Sequence, residues 1–148
     1  MSEVNHPEQN IRAIVLGLIR RGDEILVSQG FDEAKGESFY RPLGGGLEFG
    51  ENTLEALRRE FREELGAELV DIRLLRVLEN VFTYNGQPGH EIVFAYEAAF
   101  ADRSYYAEEK LIANEEGVGD FEAIWKPLSD FRSGKDILYS SGILELLD

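Results

Sequence analysis

The stretch Gly44-Gly45-Gly46-Leu47-Glu48-Phe49-Gly50-Glu51-Asn52-Thr53-Leu54-Glu55-Ala56-Leu57-Arg58-Arg59-Glu60-Phe61-Arg62-Glu63-Glu64-Leu65-Gly66-Ala67 joins a glycine run to an acidic, amphipathic segment. Consecutive glycines free the backbone to adopt conformations that a side chain would forbid. From Asn52 the pattern predicts a helix, because Leu54, Leu57, Phe61 and Leu65 recur three or four apart and form one apolar stripe. Asn52 is placed to cap that helix, Glu55 to complete a capping box, and Gly66 to stop it. At about 100° per residue, Glu60, Glu63 and Glu64 share a sector roughly 100° wide beside the stripe, and Arg58, Arg59 and Arg62 are expected on the other half.

Three carboxylates crowded in this way repel one another, by a few tenths of a kcal/mol per pair on an isolated helix and by more where solvent is limited. A bound cation would relieve the repulsion. Oxygen-only ligands suit hard ions, and Mg²⁺ or Mn²⁺ combines one or two carboxylates with waters and substrate phosphates. Zinc is a poorer fit to a site with neither cysteine nor a histidine pair. Three glutamates on a helix most often form a solvated acidic face, so the spacing around them has to decide.

Gly45, five residues, Glu51, seven residues, then Arg59-Glu60-Phe61-Arg62-Glu63-Glu64-Leu65-Gly66-Ala67 resembles the Nudix box, G-x5-E-x7-R-E-U-x-E-E-x-G-U with U a bulky aliphatic. All seven fixed positions match. At average residue usage near 7%, such a match arises by chance in roughly 1 of 10⁸ windows. The departures, Phe61 and Ala67, fall at U positions and touch packing rather than charge. The early hairpin, the entry Gly44 to Glu48 and Trp125-Lys126-Pro127-Leu128 near the end also look like the family's layout.

The resemblance implies a Nudix-type α/β/α sandwich with a mixed sheet, a central box helix and a C-terminal helix, as one domain over residues 1–148. It implies that Glu60, Glu63 and Glu64 bind Mg²⁺ or Mn²⁺, that the Gly44 carbonyl adds a backbone ligand, and that Glu51 and Arg59 form a supporting ion pair. The implied reaction is hydrolysis of a phosphoanhydride bond in a nucleoside diphosphate-linked small molecule, by water attack at phosphorus. The general base is left open among Glu64, Glu115 and Glu116. Arg41 and Lys110 are candidates for phosphate contact. Asp71 to Gly86 lacks the proline seen in ADP-ribose and NADH members, whereas Tyr84 stands about where dinucleoside polyphosphate members tend to carry a tyrosine. The alternative is a catalytically silent Nudix-fold module that binds nucleotides or regulates. A calcium-binding protein is disfavoured by the lack of a D-x-[DN]-x-[DN]-G loop.

Outside the box, Ile11 to Ile19 and Ile25 to Val27 read as a hairpin turning at Arg20 to Asp23. Leu69 to Glu79 and Asn80 to Tyr84 read as one long or two broken strands, and Asn85-Gly86-Gln87-Pro88-Gly89 as a turn into the strand His90 to Phe100. Residues 101–120 are expected to form a loop, Glu122 to Trp125 a short strand, and Ile137 to Leu147 a closing amphipathic helix. Tyr40, Phe82, Tyr84 and Trp125 could stack on a base, although strand aromatics more often fill a core. His90 has no second histidine nearby and reads as structural or exposed.

The hydrophobic share of 43% and charged share of 30% are ordinary for a folded domain of 148 residues. The absence of cysteine excludes disulfides and thiolate metal sites. The formal charge of −14 argues against a nucleic-acid duplex as partner. Met1 to Asn10 lacks the apolar core of a signal peptide, and no run approaches a membrane span, so a cytoplasmic location is expected. A homodimer is left open.

Overall fold

Strand β1, Ile11–Arg21, is apolar almost throughout because both its faces are covered. Ile14, Leu16 and Leu18 enter one core, and Val15 and Ile19 enter the other. That is the period-two alternation of a strand buried on both sides. The computed structural model describes residues 9–148, and the reading of the leading segment falls largely on residues 1–8, outside those described.

The remaining strands are β2 (Glu24–Asp32), β3 (Glu37–Gly46), β4 (Leu69–Tyr84), β5 (Gln87–Phe100), β6 (Lys110–Glu115) and β7 (Gly119–Pro127). Among the described residues they make one mixed sheet in the order β4-β5-β1-β3-β2-β7-β6. β1 runs parallel to β5, and the other neighbours are antiparallel. Helix α1, Thr53–Leu65, covers one face. The chain from α2 (Leu128–Arg132) to a 3-10 turn at Leu144–Leu147 covers the other. The architecture is the expected α/β/α sandwich.

β3 changes partner partway along its length. Leu43 to Gly46 pair with β1, whereas Glu37 to Pro42 pair with β2. The sheet therefore splits between β1 and β3, and a cavity opens at the split.

Four expectations need correction. Leu54 is not part of the buried stripe, being 39% exposed. The buried face of α1 is Ala56, Leu57, Phe61 and Glu64, which is rotated from the apolar stripe by roughly 60° at about 100° per residue. That rotation carries the carboxylate sector toward the sheet. Secondly, residues 101–120 are not simply a loop: they hold a 3-10 turn at Arg103–Ala107 and strand β6, whose Leu111 and Ala113 are buried. The alternation is too short to stand out among charged neighbours.

Thirdly, residues 137–143 are not helical. The edge that β3 exposes on leaving β1 is taken by this segment: the Tyr40 N–H donates to the Ile137 carbonyl at 2.8 Å, and the Tyr139 N–H to the Tyr40 carbonyl at 2.8 Å. The helical residues at this end are α2 and the 3-10 turn. Lastly, Arg59 is not set apart from the three carboxylates. It stands one residue before Glu60 and four before Glu63, and its long side chain reaches both.

Candidate active site

Gly44 and Gly45 lie where β3, β1 and α1 meet. A Cβ at Gly44 would overlap the Val15 carbonyl oxygen, and a Cβ at Gly45 would overlap the Glu60 carboxylate. The glycines therefore let the helix bring its acids against the strand. Gly45→Ala should lower stability by about 1–3 kcal/mol, the usual range for overpacking, and lower any turnover by displacing Glu60. Urea unfolding with a parallel activity assay checks both.

The helix is held at both ends as its sequence predicts. The Asn52 side chain accepts from the Glu55 N–H at 2.9 Å, Glu55 returns the bond to the Asn52 N–H at 3.4 Å, and Gly66 closes the helix at φ 67°. Ahead of it, Glu51 accepts the Glu48 N–H at 2.9 Å and two Arg59 groups, Nη2 at 2.7 Å and Nε at 3.1 Å. Hydrogen bonding to Arg59 holds the Glu51 carboxyl below its ordinary range. Arg59 Nη2 also donates to the Gly46 carbonyl at 2.9 Å. One guanidinium thus ties the glycine run, the loop and the helix together.

Arg59 Nη1 continues to Glu60 at 3.0 Å and Glu63 at 3.2 Å. Glu63 is largely exposed, whereas Glu60 is mostly buried. Burial raises the Glu60 carboxyl pKa, opposed by its bond to Arg59. Glu64 lies deeper. Its pKa is pushed up to about 8, first by burial and then by the charges of Glu60 and Glu115. Its Oε1 is buried with no hydrogen-bond partner.

These residues fit a hard cation: a buried carboxylate oxygen lacks a partner, the donors are all oxygen, and the bare Gly45 lets the Glu60 carboxylate sit against β3. Among the described residues no three acidic or histidine groups converge on one ion-sized point, because Arg59 draws Glu60 and Glu63 toward itself.

The cavity at the split encloses about 300 Å³ and is walled by Arg12, Arg41, Gly44, Gly45, Glu64 and Glu115, with Val118 and Phe121 adding apolar surface. Of the two late glutamates, Glu115 lines it, and Glu116 is exposed outside it. Arg41 lines it as well. Tyr84 does not: it sits at the tip of the β4–β5 hairpin, with its hydroxyl donating to the Phe31 carbonyl at 3.3 Å and its ring edge-on to Phe39. Lys110 pairs with Glu122 on the surface.

Trp125 is a core residue, bonded through Nε1 to the Glu108 carbonyl and stacked on Tyr106. Tyr40 packs against Phe131, and Phe82 lies over Gly89. The aromatic that faces the cavity is Phe121, which the sequence reading missed. Its signal was the alternation Phe121, Ala123, Trp125, visible only if the strand is extended back to Gly119. Glu91, buried on β5 beside Arg41, was missed too and carries no motif signal.

An acidic helix laid on a mixed sheet, with its carboxylates opening onto the split between two strands, defines an α/β/α sandwich built around a cation-fitting site. The NUDIX domain family matches residues 9–144, nearly the whole chain. Similar solved structures include a NUDIX hydrolase from Nitrosomonas europaea (18% identity, 93% of this chain and 86% of that one, TM-score 0.58). A MutT NUDIX hydrolase from Burkholderia pseudomallei (21% identity, 94% of this chain and 97% of that one, TM-score 0.59) shares the fold. So does a NUDIX family hydrolase from Clostridium perfringens, with the same identity and coverage and a TM-score of 0.60. The chain belongs to the Nudix family, a family of hydrolases that act on nucleoside diphosphate-linked compounds.

Among the described residues no helix is long and apolar enough to cross a membrane.

Proposed function

We propose that this chain is a divalent-cation-dependent hydrolase that cleaves a phosphoanhydride bond in a nucleoside diphosphate-linked substrate by water attack at phosphorus. The observation that carries this reading is the buried, unpartnered Glu64 carboxylate oxygen in the same cavity as Glu115, Gly44 and Gly45. Glu60, Glu63 and Glu64 would hold Mg²⁺ or Mn²⁺, with the Gly44 carbonyl as a further oxygen donor. When bound, the cation supplies charge neutralisation for the diphosphate and a lowered pKa for its water.

The chain's own residues do the rest. Glu51 and Arg59 fix the loop to the helix so that the acids keep their places. Glu64 and Glu115 are the cavity carboxylates available to take the proton of the attacking water. Glu116, outside the cavity, is dropped from that role. Glu115→Gln should lower kcat by about 10²-fold or more if it takes that proton; an unchanged kcat assigns the base to Glu64.

The deciding experiment incubates the protein with Mg²⁺ and a panel of nucleoside diphosphate-linked compounds and measures released mononucleotide or phosphate. Turnover that disappears in Glu63→Gln supports the reading. Tight nucleotide binding with no turnover of any compound would make the chain a silent binding module instead.

Mg²⁺ or Mn²⁺ should also raise the melting temperature, since a ligand of the folded state alone stabilises by about 2.7 kcal/mol at a hundredfold excess over Kd. Ca²⁺ should bind yet support much less turnover, its looser coordination misplacing water and phosphate. Equal thermal shifts in wild type and a Glu60→Gln, Glu63→Gln, Glu64→Gln triple variant would place the cation elsewhere.

A further inference from the structure

Two arginines from different strands reach one buried carboxylate beside the cavity. Arg12 Nη1 of β1 lies 3.6 Å from Glu91 Oε2, and Arg41 Nη2 of β3 lies 3.3 Å from Glu91 Oε1. The Glu91 side chain is 8% exposed. Two guanidinium groups share this one carboxylate, and both arginines line the cavity that Glu64 and Glu115 also line. In a chain of net charge −14, these two arginines are the cationic groups lining the cavity. Arg41 Nε is moreover buried with no hydrogen-bond partner, and a buried donor on a charged group is costly to leave unpaired.

A guanidinium offers parallel donors in a fork that matches two oxygens of a phosphate. Glu91 occupies only one Arg41 nitrogen at hydrogen-bonding distance, so part of the fork is free. The split between β1 and β3 keeps the two guanidinium groups at the cavity wall, since β3 has already left β1 for β2 at Arg41. A volume of about 300 Å³ stands at the low end of small-molecule sites and suits one nucleotide better than two. Tyr84, the residue that leaned toward dinucleotides, lies away from it.

We propose that Arg12, Glu91 and Arg41 form an anion-recognition site in the cavity, and that it selects nucleotides carrying a phosphate beyond the two that flank the scissile bond. This rests on the hydrolase reading above. Arg12 and Arg41 contact the additional phosphate, and Glu91 is a positioning residue that aims both.

The test compares kcat/KM for a nucleoside triphosphate with that for a nucleoside diphosphate-hexose of the same base, both with Mg²⁺. Wild type should prefer the triphosphate. The ratio of the two values should fall about tenfold or more in Arg41→Lys, which keeps charge but loses the fork, as expected for losing a charge-assisted bond. Arg12→Ala, at a more exposed position and safe for folding, should move the ratio in the same direction. Glu91→Gln should raise KM for the triphosphate while kcat stays within a few fold, a split that general misfolding would not produce. Ratios unchanged in all three variants overturn the proposal, as does an equal loss on both substrates, which would mean contact with the shared nucleoside. If wild type hydrolyses neither compound, the hydrolase reading is judged on the wider panel above, and calorimetric titration of inorganic tripolyphosphate without cation decides the anion site. Binding lost in Arg41→Lys and kept in Glu64→Gln supports it; equal binding in all three proteins, or none in wild type, overturns it.

Discussion

Glu64→Gln should reduce turnover by about 10²- to 10⁴-fold, the range associated with a positioned acid or base, while the protein stays folded. The substitution keeps the shape of the side chain and removes both the charge and one cation ligand. Without cation, its effect on stability should depend on pH with a definite sign. The carboxyl titrates near 4.5 in the unfolded chain and near 8 in the folded one. Between those values the unfolded chain has released a proton that the folded chain keeps, so wild-type stability falls as pH rises, by about 1.4 kcal/mol per unit at most. Glutamine does not titrate.

The variant should therefore gain on wild type from pH 5 to pH 8 and hold a constant lead above that, with a ceiling of about 5 kcal/mol. Urea midpoints at pH 5, 7 and 9 in a chelator measure the difference. Midpoints that move in parallel would show that Glu64 ionises as freely as a surface acid.

Phe61→Ala should cost about 3–5 kcal/mol, as truncation of a fully buried phenylalanine does. Phe61 has no exposed surface, and its ring meets Phe100 edge-on at 6.3 Å between centroids. It also lies over Gly17, where an added Cβ would come within 2.7 Å of the ring. This contact seats α1 on the sheet, so losing it should loosen the carboxylates as well as the core. Gly17→Ala should destabilise the wild type and cost less in the Phe61→Ala background, because the ring it collides with is gone. Denaturation of the four proteins in that cycle tests the arrangement. Additive effects would mean that helix and strand are not in contact at this point.

What was legible of the candidate site in the sequence lies within one short stretch. The capping pair Asn52 and Glu55, the stop at Gly66 and the link from Glu51 to Arg59 are made within or next to one helix, where helix and cap geometry set most of the distances. The reading failed where a segment's environment came from afar. Leu54 satisfies helical spacing yet faces solvent, because the sheet meets α1 on the side of Ala56 and Glu64. Residues 137–143 have helical spacing too, but their backbone bonds are claimed by β3.

The sequence by itself determined that an acidic helix would form after a glycine run, where it would start and stop, and which residues would bear its carboxylates. Those outcomes depend on backbone sterics and side-chain contacts within a few turns of chain. Only the tertiary structure decided that Glu64 is buried rather than solvated, that Glu115 rather than Glu116 joins it, that Phe121 rather than Tyr84 faces the cavity, and that Glu91 holds Arg12 and Arg41. Each of these depends on contacts between segments far apart in the chain: the seating of α1 on the sheet for Glu64, the pairing of β7 with β2 that carries Phe121 and the β6 hairpin to the cavity, and the pairing of β5 with β1 for Glu91. A one-residue slip in a strand register would turn its side chains to the opposite face.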